Sequence, residues 1–250
     1  MKRKAVLIEA AELKGHNDLP GARRDVVNYR QYLSSAFGGA WDESTEIDTF
    51  TKPGKKFLLE YIRYLSTYDY TIITFSGHGH HVTGRGLDES RICLNDTEEL
   101  AVRDLYPNNP KSLIIADSCR EVTVLEEEER KSVLETLASK TAARHPNRAN
   151  CRALFEEAIE LAPPGPLYMY SCNIGEVAAE SNTRGGYFSR ALIDVANEWS
   201  DRQSRPAALR TDEAFALACK LTTASNSGQH PQYEGSTRRN THFPHAVFAW

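Results

Sequence analysis

Cysteine is scarce in this 250-residue sequence, and long apolar runs are missing. The five cysteines are odd in number and scattered, with no CxxC pair and no zinc-like spacing. We therefore expect neither a disulfide framework nor a metal site, and a reducing, cytoplasmic compartment. Because no run of about 18 apolar residues occurs, we predict no membrane-spanning segment.

Charge of one sign does not dominate either. The net charge is −4 and the pI about 6.1, and no basic stripe suggests nucleic-acid binding. Hydrophobic residues make up 40% of the chain, enough for one large α/β domain with a core. Residues 1–4 are basic, but the apolar run behind them ends at Glu9, which indicates a first strand rather than a secretory signal.

Short apolar runs alternate with amphipathic stretches along the chain. The pattern predicts a mostly parallel central sheet with helices on both faces, a three-layer α/β/α fold. Strands are expected at 5–9, 47–50, 70–75, 91–94, 113–116, 167–171 and 245–250, and polar loops at 80–89 and 229–244. Helices are expected at 22–37, from Pro53, and at 98–105, 187–198 and 212–221, the last capped by Thr211. Three- and four-residue spacing predicts two buried helix faces: Val26, Tyr29, Leu33 and Phe37, then Phe57, Leu58, Tyr61 and Leu65.

Two of these strands end in reactive side chains. Ser-Gly-His-Gly at 76–79 follows one strand, and Asp-Ser-Cys-Arg at 117–120 follows another. Sites in open parallel sheets lie at the carboxyl ends of the strands. We therefore expect His78 and Cys119 to meet at one sheet edge, where a thiolate attacks and an imidazole manages the proton.

Each of these two residues alone has a simpler interpretation. A single histidine after a strand is more often structural, and a buried cysteine behaves as a small hydrophobe. The two together favour chemistry, because Gly77 and Gly79 let the backbone approach a ligand beside His78. Cys119 also follows its strand directly, whereas a packing cysteine would lie inside the strand.

The two motifs resemble those of the caspase-like cysteine proteases, with the metacaspase and prokaryotic caspase-homologue branch the nearest. The resemblance runs over about 4–250 and includes weaker segments in the expected order, at 21–26, 178–180, 185–189, 191–192, 229–232 and 243–244. One position departs from the pattern. Glu121 follows Arg120, where that family usually carries a small residue or glycine.

The resemblance implies roles for individual residues. Cys119 would be the nucleophile and His78 its proton carrier, and the backbone N–H groups of Gly79 and Cys119 would stabilise the oxyanion. Asp25 and Asp117 match the acidic pocket positions of metacaspases, which favour a basic substrate side chain. Without the resemblance, Asp117 is equally a loop cap and Asp25 a helix N-terminal charge. The predicted substrate-binding residues are Asp25, Asp117, Ser171 and Cys172.

The stretch 121–165 differs in composition from the rest of the single domain. We expect a first half at 1–120 that carries the dyad, a helical and polar insertion at 121–165, and a second half at 166–250. The unpatterned part at 139–150 is either a flexible joint between solvated helices or an activation linker cut after Arg144 or Arg148. The acidic run at 126–129 could bind calcium, but contiguous glutamates are more often a solvated helix face, so no cofactor is assigned.

The function expected is a cytosolic cysteine endopeptidase that cleaves after Arg or Lys. The resemblance implies a regulated enzyme of a stress, cell-death or defence pathway, with protein substrates and possible control by an activating protease or regulatory partner. Two alternatives stay open: a catalytically silent caspase-like scaffold, and another hydrolase with the same cysteine and histidine. The intact pair His78 and Cys119 favours a peptidase.

Overall fold

A computed structural model describes residues 1–84, 86–122, 146–235 and 242–250. Its strands, in chain order, are β1 (Arg3–Ala10), β2 (Ile47–Thr51), β3 (Tyr70–Gly77), β4 (Gly79–Gly84), β5 (Leu87–Cys93), β6 (Glu99–Ala101), β7 (Lys111–Asp117), β8 (Gly165–Tyr170), β9 (Glu180–Ser181), β10 (Gly185–Gly186), β11 (Ala207–Arg210), β12 (Gln232–Gly235) and β13 (Pro244–Phe248). Its helices are α1 (Pro20–Ser34), α2 (Lys55–Tyr64), α3 (Arg148–Leu161), α4 (Tyr187–Asp201) and α5 (Thr211–Ser225), with 3₁₀ turns at Leu65–Thr67 and Val102–Leu105.

A six-stranded sheet forms the centre, in the order β12-β8-β7-β3-β1-β2. β1, β2, β3, β7 and β8 pair in parallel, and β12 joins β8 antiparallel at one edge. β3 and β7 are direct neighbours, with Ser76 opposite Asp117. The carboxyl ends of the strands that precede His78 and Cys119 therefore lie side by side, as the sequence predicts.

Alternation along the strands builds one apolar core on each face of the sheet. On one face Leu7, Ile72 and Ile115 pack with side chains of α1, α3, α4 and α5. On the other face Ile8 and Ile73 pack with residues of α2, β5 and β6. Helices thus cover both sides of a mostly parallel sheet, which confirms the predicted three-layer α/β/α class.

The loop predicted at 80–89 is wrong, because most of these residues belong to the small sheet β4-β5-β6. Residues Gly79–Gly84 and Leu87–Cys93 form an antiparallel hairpin that begins directly after His78, and Glu99–Ala101 adds a third strand. The helix expected at 98–105 is therefore only a 3₁₀ turn at Val102–Leu105. Short polar strands escape prediction because one of their faces is open to water and carries little apolar signal.

Several smaller expectations are also wrong. Phe57 is 50% exposed, and Ile62 occupies the buried face of α2 instead. Thr211 is the first residue of α5 rather than its cap, which is Arg210. The strand expected at 245–250 is present as β13, which pairs antiparallel with β11. The polar stretch at 229–244 contributes β12 to the central sheet, where its backbone satisfies the open edge of β8.

Helix α3 begins earlier than the predicted polar joint allows. Asn147 caps it through its side chain, which accepts from Asn150 N–H at 3.0 Å. Arg148, the first helical residue, donates to the carbonyl oxygens of Ser34 and Trp41, the latter at 2.9 Å. Arg148 is thus docked on the domain, contrary to the flexible linker predicted there. Arg144 and the acidic run at 126–129 lie outside the described residues.

The same end of α3 also contacts the two residues that follow β13. Asn147 N–H donates to Ala249 C=O at 2.8 Å, and the Asn150 side chain donates to Trp250 C=O at 2.7 Å. Arg152 forms an ion pair with Glu46 at 2.6 Å. The start of α3 is therefore fixed both to the first 50 residues and to the last two.

All five cysteines lie in described ranges and are free thiols. Across those ranges, no helix combines the length and apolar character needed to cross a membrane.

Candidate active site

His78 lies between the end of β3 in the central sheet and the start of β4 in the hairpin. Its Nε2 is 2.8 Å from the carbonyl oxygen of Asn17, in the loop before α1, and its ring packs against that of His16 at 4.6 Å between centroids, tilted by 43°. A carbonyl oxygen only accepts, so Nε2 carries the proton and Nδ1 keeps its lone pair. Partial burial lowers the pKa of His78, which keeps the imidazole neutral near pH 7.

Asn17 is the site residue that sequence reasoning missed. Its contribution is a backbone oxygen, which any residue at that position offers, so no side-chain signature marks it. The hydrogen bond fixes both the tautomer and the orientation of the ring. It supplies the third orienting group that the sequence motifs left unassigned.

Cys119 follows β7 as predicted and is partly buried. Its Sγ lies 3.9 Å from the carbonyl oxygen of Ala178. Burial, with a smaller contribution from nearby Glu121, raises the pKa of the thiol to about 11. Among the described residues no hydrogen bond joins Cys119 to His78. The raised pKa of the thiol and the lowered pKa of the imidazole both disfavour an ion pair between them.

The backbone N–H of Gly79 points away from the hairpin ladder. His78 C=O accepts from Cys93 N–H at 3.0 Å, which makes these two a hydrogen-bonded antiparallel pair. The next pair, Gly79 with Ile92, is then of the alternate, non-hydrogen-bonded kind. A Cβ on Gly79 would lie 2.7 Å from the Ser118 hydroxyl, so only glycine lets β4 approach the Cys119 loop this closely.

Asp25, in α1, and Asp117, the last residue of β7, are both buried, with exposed fractions of 2% and 6%. Burial, and then the neighbouring Asp117 charge, raises the pKa of Asp25 well above its usual range. Burial likewise raises the pKa of Asp117. The two predicted pocket carboxylates are therefore close enough to repel each other, and they favour either a shared proton or a cation.

The backbone of 185–189 lies over these carboxylates. Gly186 N–H donates to Asp25 at 3.0 and 3.2 Å, and Ser189 N–H donates to Asp117 at 3.1 Å. Any Cβ at Gly185 would collide with Asp25, and one at Gly186 with Asp117. Two consecutive glycines are therefore required for the chain to pass this close to the acidic pair.

The strand β9 just before these glycines is anchored to α1. The Glu180 carboxylate accepts from Gly21 N–H at 3.1 Å, in the first turn of that helix, where a negative charge is favourable. Together with the Ala178 carbonyl beside Cys119, this puts the segment 178–187 in contact with the thiol, α1 and the acidic pair. Ala178, Glu180 and Gly186 are each fixed to a different part of it.

Ser171 and Cys172, predicted to bind substrate, are both fully buried. The Ser171 hydroxyl accepts from Ser118 N–H at 3.1 Å and donates to Ser118 C=O at 3.2 Å. Cys172 Sγ donates to Ser118 C=O at 3.4 Å. In this structure the two side chains support the loop that carries Cys119, and their contact with substrate stays a prediction.

Arg120 anchors the other side of that loop. Its Nε donates to Ser90 Oγ at 2.7 Å, and its guanidinium lies 4.1 Å above the Tyr170 ring. Ser90 in turn bonds His81, and His81 N–H donates to Glu121 C=O at 3.0 Å. Glu121, where the sequence departs from the familiar pattern, thus pairs through its backbone with the hairpin.

A cysteine and a histidine thus lie at the carboxyl edge of an α/β/α sheet. The family model for the caspase domain matches residues 2–243, and the chain belongs to that family. Among solved structures it is similar to caspase-1 from Spodoptera frugiperda, with 14% sequence identity and a TM-score of 0.55 over 93% of this chain and 86% of that chain. That likeness concerns the fold alone. No curated protein matched the sequence.

Proposed function

We propose that this protein is a cysteine endopeptidase that cleaves after arginine or lysine, with Cys119 as nucleophile and His78 as proton carrier. The observation that carries the specificity is the buried pair Asp25 and Asp117 behind the nucleophile's strand. Family membership supports the peptidase class and protein substrates. The dyad and the basic preference are our inference from the geometry.

The proposed chemistry uses groups already placed at the sheet edge. Cys119 Sγ attacks the scissile carbonyl carbon as its proton passes to His78 Nδ1, the nitrogen left free by the Asn17 bond. The Gly79 and Cys119 N–H groups stabilise the oxyanion. The imidazolium then protonates the leaving amine, and water, deprotonated by His78, hydrolyses the thioester.

Substrate binding has to rearrange the resting site. Cys119 faces the Ala178 carbonyl, and Asp25 is satisfied by Gly186 N–H. We infer that the segment 178–187 moves when a substrate enters and that a basic side chain then reaches the carboxylates. A guanidinium or ammonium would replace the lost N–H donors and add a positive charge beside the two carboxylates.

A peptide panel tests this function directly. Fluorogenic peptides that differ only in Arg, Lys, Gln or Asp before the reporter should rank with Arg and Lys far above Gln and Asp. The acidic pair attracts a cation and repels a carboxylate, which is the physical reason for the order. Preference for Asp, or equal turnover of Gln and Arg, would show the pocket assignment to be wrong.

One observation favours a second candidate, a silent scaffold. In the described residues no hydrogen bond joins the thiol to the imidazole, and the Ala178 carbonyl oxygen lies 3.9 Å from the thiol. A scaffold would turn over none of the four peptides under any condition. Another cysteine hydrolase would instead act on non-peptide esters or amides while leaving the panel intact.

The insertion gives a further prediction, that the enzyme is activated by cleavage after Arg144. Cys119→Ala protein incubated with active wild-type enzyme should gain a new amino terminus at His145. Arg148 should resist, because it is helical and its guanidinium is bonded to Ser34 and Trp41. Amino-terminal sequencing of the products reads out both sites.

The control for this cleavage is a pair of matched variants in the inactive background. Arg144→Gln should block the cut, whereas Arg148→Gln should leave it in place. If no amino terminus arises between residues 141 and 153 in any mixture, the activation-linker hypothesis is wrong.

We propose, on the resemblance alone, a cytoplasmic, regulated enzyme of a stress, cell-death or defence pathway.

A further inference from the structure

Three side chains able to ligate a metal lie together on the small sheet β4-β5-β6. The register pairs Cys93 with Glu99 and His80 with Arg91, so all four share one face. One ligand atom each from His80, Cys93 and Glu99 lies within 4.8 Å of the others. His80 Nε2 and Glu99 Oε2 are already 3.6 Å apart.

The donor set selects the kind of cation. Thiolate, imidazole and carboxylate are the ligands of zinc, which they bind at about 2.0–2.3 Å, so tetrahedral ligands lie about 3.2–3.8 Å apart. The 3.6 Å between His80 and Glu99 falls in this range, and the 4.8 Å limit for the whole cluster lies about 1 Å beyond it. Calcium takes six to eight oxygen ligands and has no use for sulfur or imidazole. The cluster therefore fits a thiophilic divalent ion rather than calcium.

The surroundings provide both burial and access. Cys93 is 7% exposed, while His80 and Glu99 are partly exposed. Cys93 and Glu99 also line an open cleft of about 420 Å³ that leaves room for a fourth ligand from solvent. Burial, and then Glu99, raises the pKa of the Cys93 thiol to about 11, so the free site holds a neutral sulfur.

One charge opposes a cation here. Arg91 Nε lies 3.3 Å from Glu99 Oε2, and the other end of the same guanidinium pairs with Glu89. A metal would compete with Arg91 for the Glu99 carboxylate. Because Glu89 can retain the guanidinium, the competition weakens binding without forbidding it.

We propose that His80, Cys93 and Glu99 bind one zinc-like divalent cation, with water from the cleft as its fourth ligand. On binding, the Cys93 thiol releases its proton to solvent and the sulfur coordinates as thiolate. Cys93 N–H also donates to His78 C=O, so the cation would brace the hairpin directly beside the candidate base. No linear motif reveals the site, because its ligands come from three different strands.

Cobalt(II) titration of Cys119→Ala protein tests the proposal without relying on activity, and the substitution removes the thiol of the candidate active site. One equivalent should produce a thiolate-to-cobalt charge-transfer band, which zinc abolishes and calcium leaves unchanged. Cys93→Ser should lose the band. His80→Ala and Glu99→Gln should weaken cobalt binding by more than the roughly 10- to 100-fold that loss of an outer partner costs.

Two controls make the outcome decisive. Cys219→Ser changes a distant thiol on α5 and should keep the band, and Arg91→Gln should tighten cobalt binding by removing the competing charge. If Cys93→Ser fails to fold, the His80 and Glu99 variants still decide. A band that survives in all three ligand variants, or binding that never saturates at one equivalent, would mean adventitious metal only and would overturn the site.

Discussion

Cys119→Ala protein should show no peptide cleavage above the uncatalysed background while keeping the wild-type fold. Alanine removes the nucleophile, so the covalent route disappears altogether. The change deletes one sulfur from a partly buried strand end and leaves a small cavity. Its cost in folding free energy should therefore be well below the roughly 2–5 kcal/mol of Leu→Ala in a core. Turnover of an Arg peptide measures the loss of cleavage, and circular dichroism with thermal unfolding measures whether the fold is kept.

His78 should prove equally necessary, for a different reason. His78→Ala removes the proton carrier, a loss of about 10²- to 10⁴-fold for general acid–base catalysis alone. His78→Gln can still donate to the Asn17 carbonyl but cannot accept and return a proton, so it separates positioning from catalysis. Recovery of activity in the Gln variant would mean that His78 only orients the site.

The control for both variants is Cys219→Ala, which removes a half-buried thiol on α5 and should leave turnover unchanged. Normal turnover by Cys119→Ala protein would remove the dyad from consideration. Loss of activity in Cys219→Ala as well would point to a general effect of thiol removal on the fold.

Asp25→Asn and Asp117→Asn should each cut kcat/KM for Arg and Lys peptides by about ten- to a hundredfold. A charge-assisted hydrogen bond contributes about 1.5–3 kcal/mol, which converts to that range. Asparagine keeps an oxygen that can accept from Gly186 or Ser189 N–H, so the chain over the pair need not move. Turnover of the Gln peptide should therefore fall much less than turnover of the Arg peptide.

The pH dependence provides a second measure of the same pocket. Because burial raises both carboxyl pKa values, the pair becomes charged only at higher pH than ordinary carboxyls do. The preference for Arg over Gln should accordingly grow as pH rises and shrink on acidification, and the Asn variants should flatten this trend. Glu198→Gln, which alters an exposed ion pair with Arg202 at the end of α4, is the matched control. Unchanged selectivity in both pocket variants would place the specificity elsewhere.

The sequence was informative where apolar runs meet reactive residues. β3 and β7 are almost wholly buried, so their alternation-free runs predicted strands in a parallel sheet. Sites in parallel sheets lie at the carboxyl ends of the strands, which is why His78 and Cys119 could be assigned to one edge. That β3 and β7 are direct neighbours is seen only in the structure. The helix α4 was placed to within three residues because its apolar face is wide.

Other features of the site depend on tertiary contacts that no local pattern encodes. The Asn17 carbonyl and the Gly186 N–H are backbone groups, and their partners lie 61 and 161 residues away. The hairpin after His78 is polar on one face, so its sequence pattern predicted a loop. The metal-ligating face of His80, Cys93 and Glu99 exists only once three strands are in register.

The docking of α3 has a consequence for what a cut after Arg144 would look like. Its first turn is bonded to residues near the start of the chain through Arg148 and Arg152 and to the last two residues through Asn147 and Asn150. The central sheet likewise draws β1, β3 and β7 from one side of the cut and β8 and β12 from the other. The nicked protein should therefore travel as a single particle of unchanged mass under native conditions and resolve into two polypeptides only in denaturant.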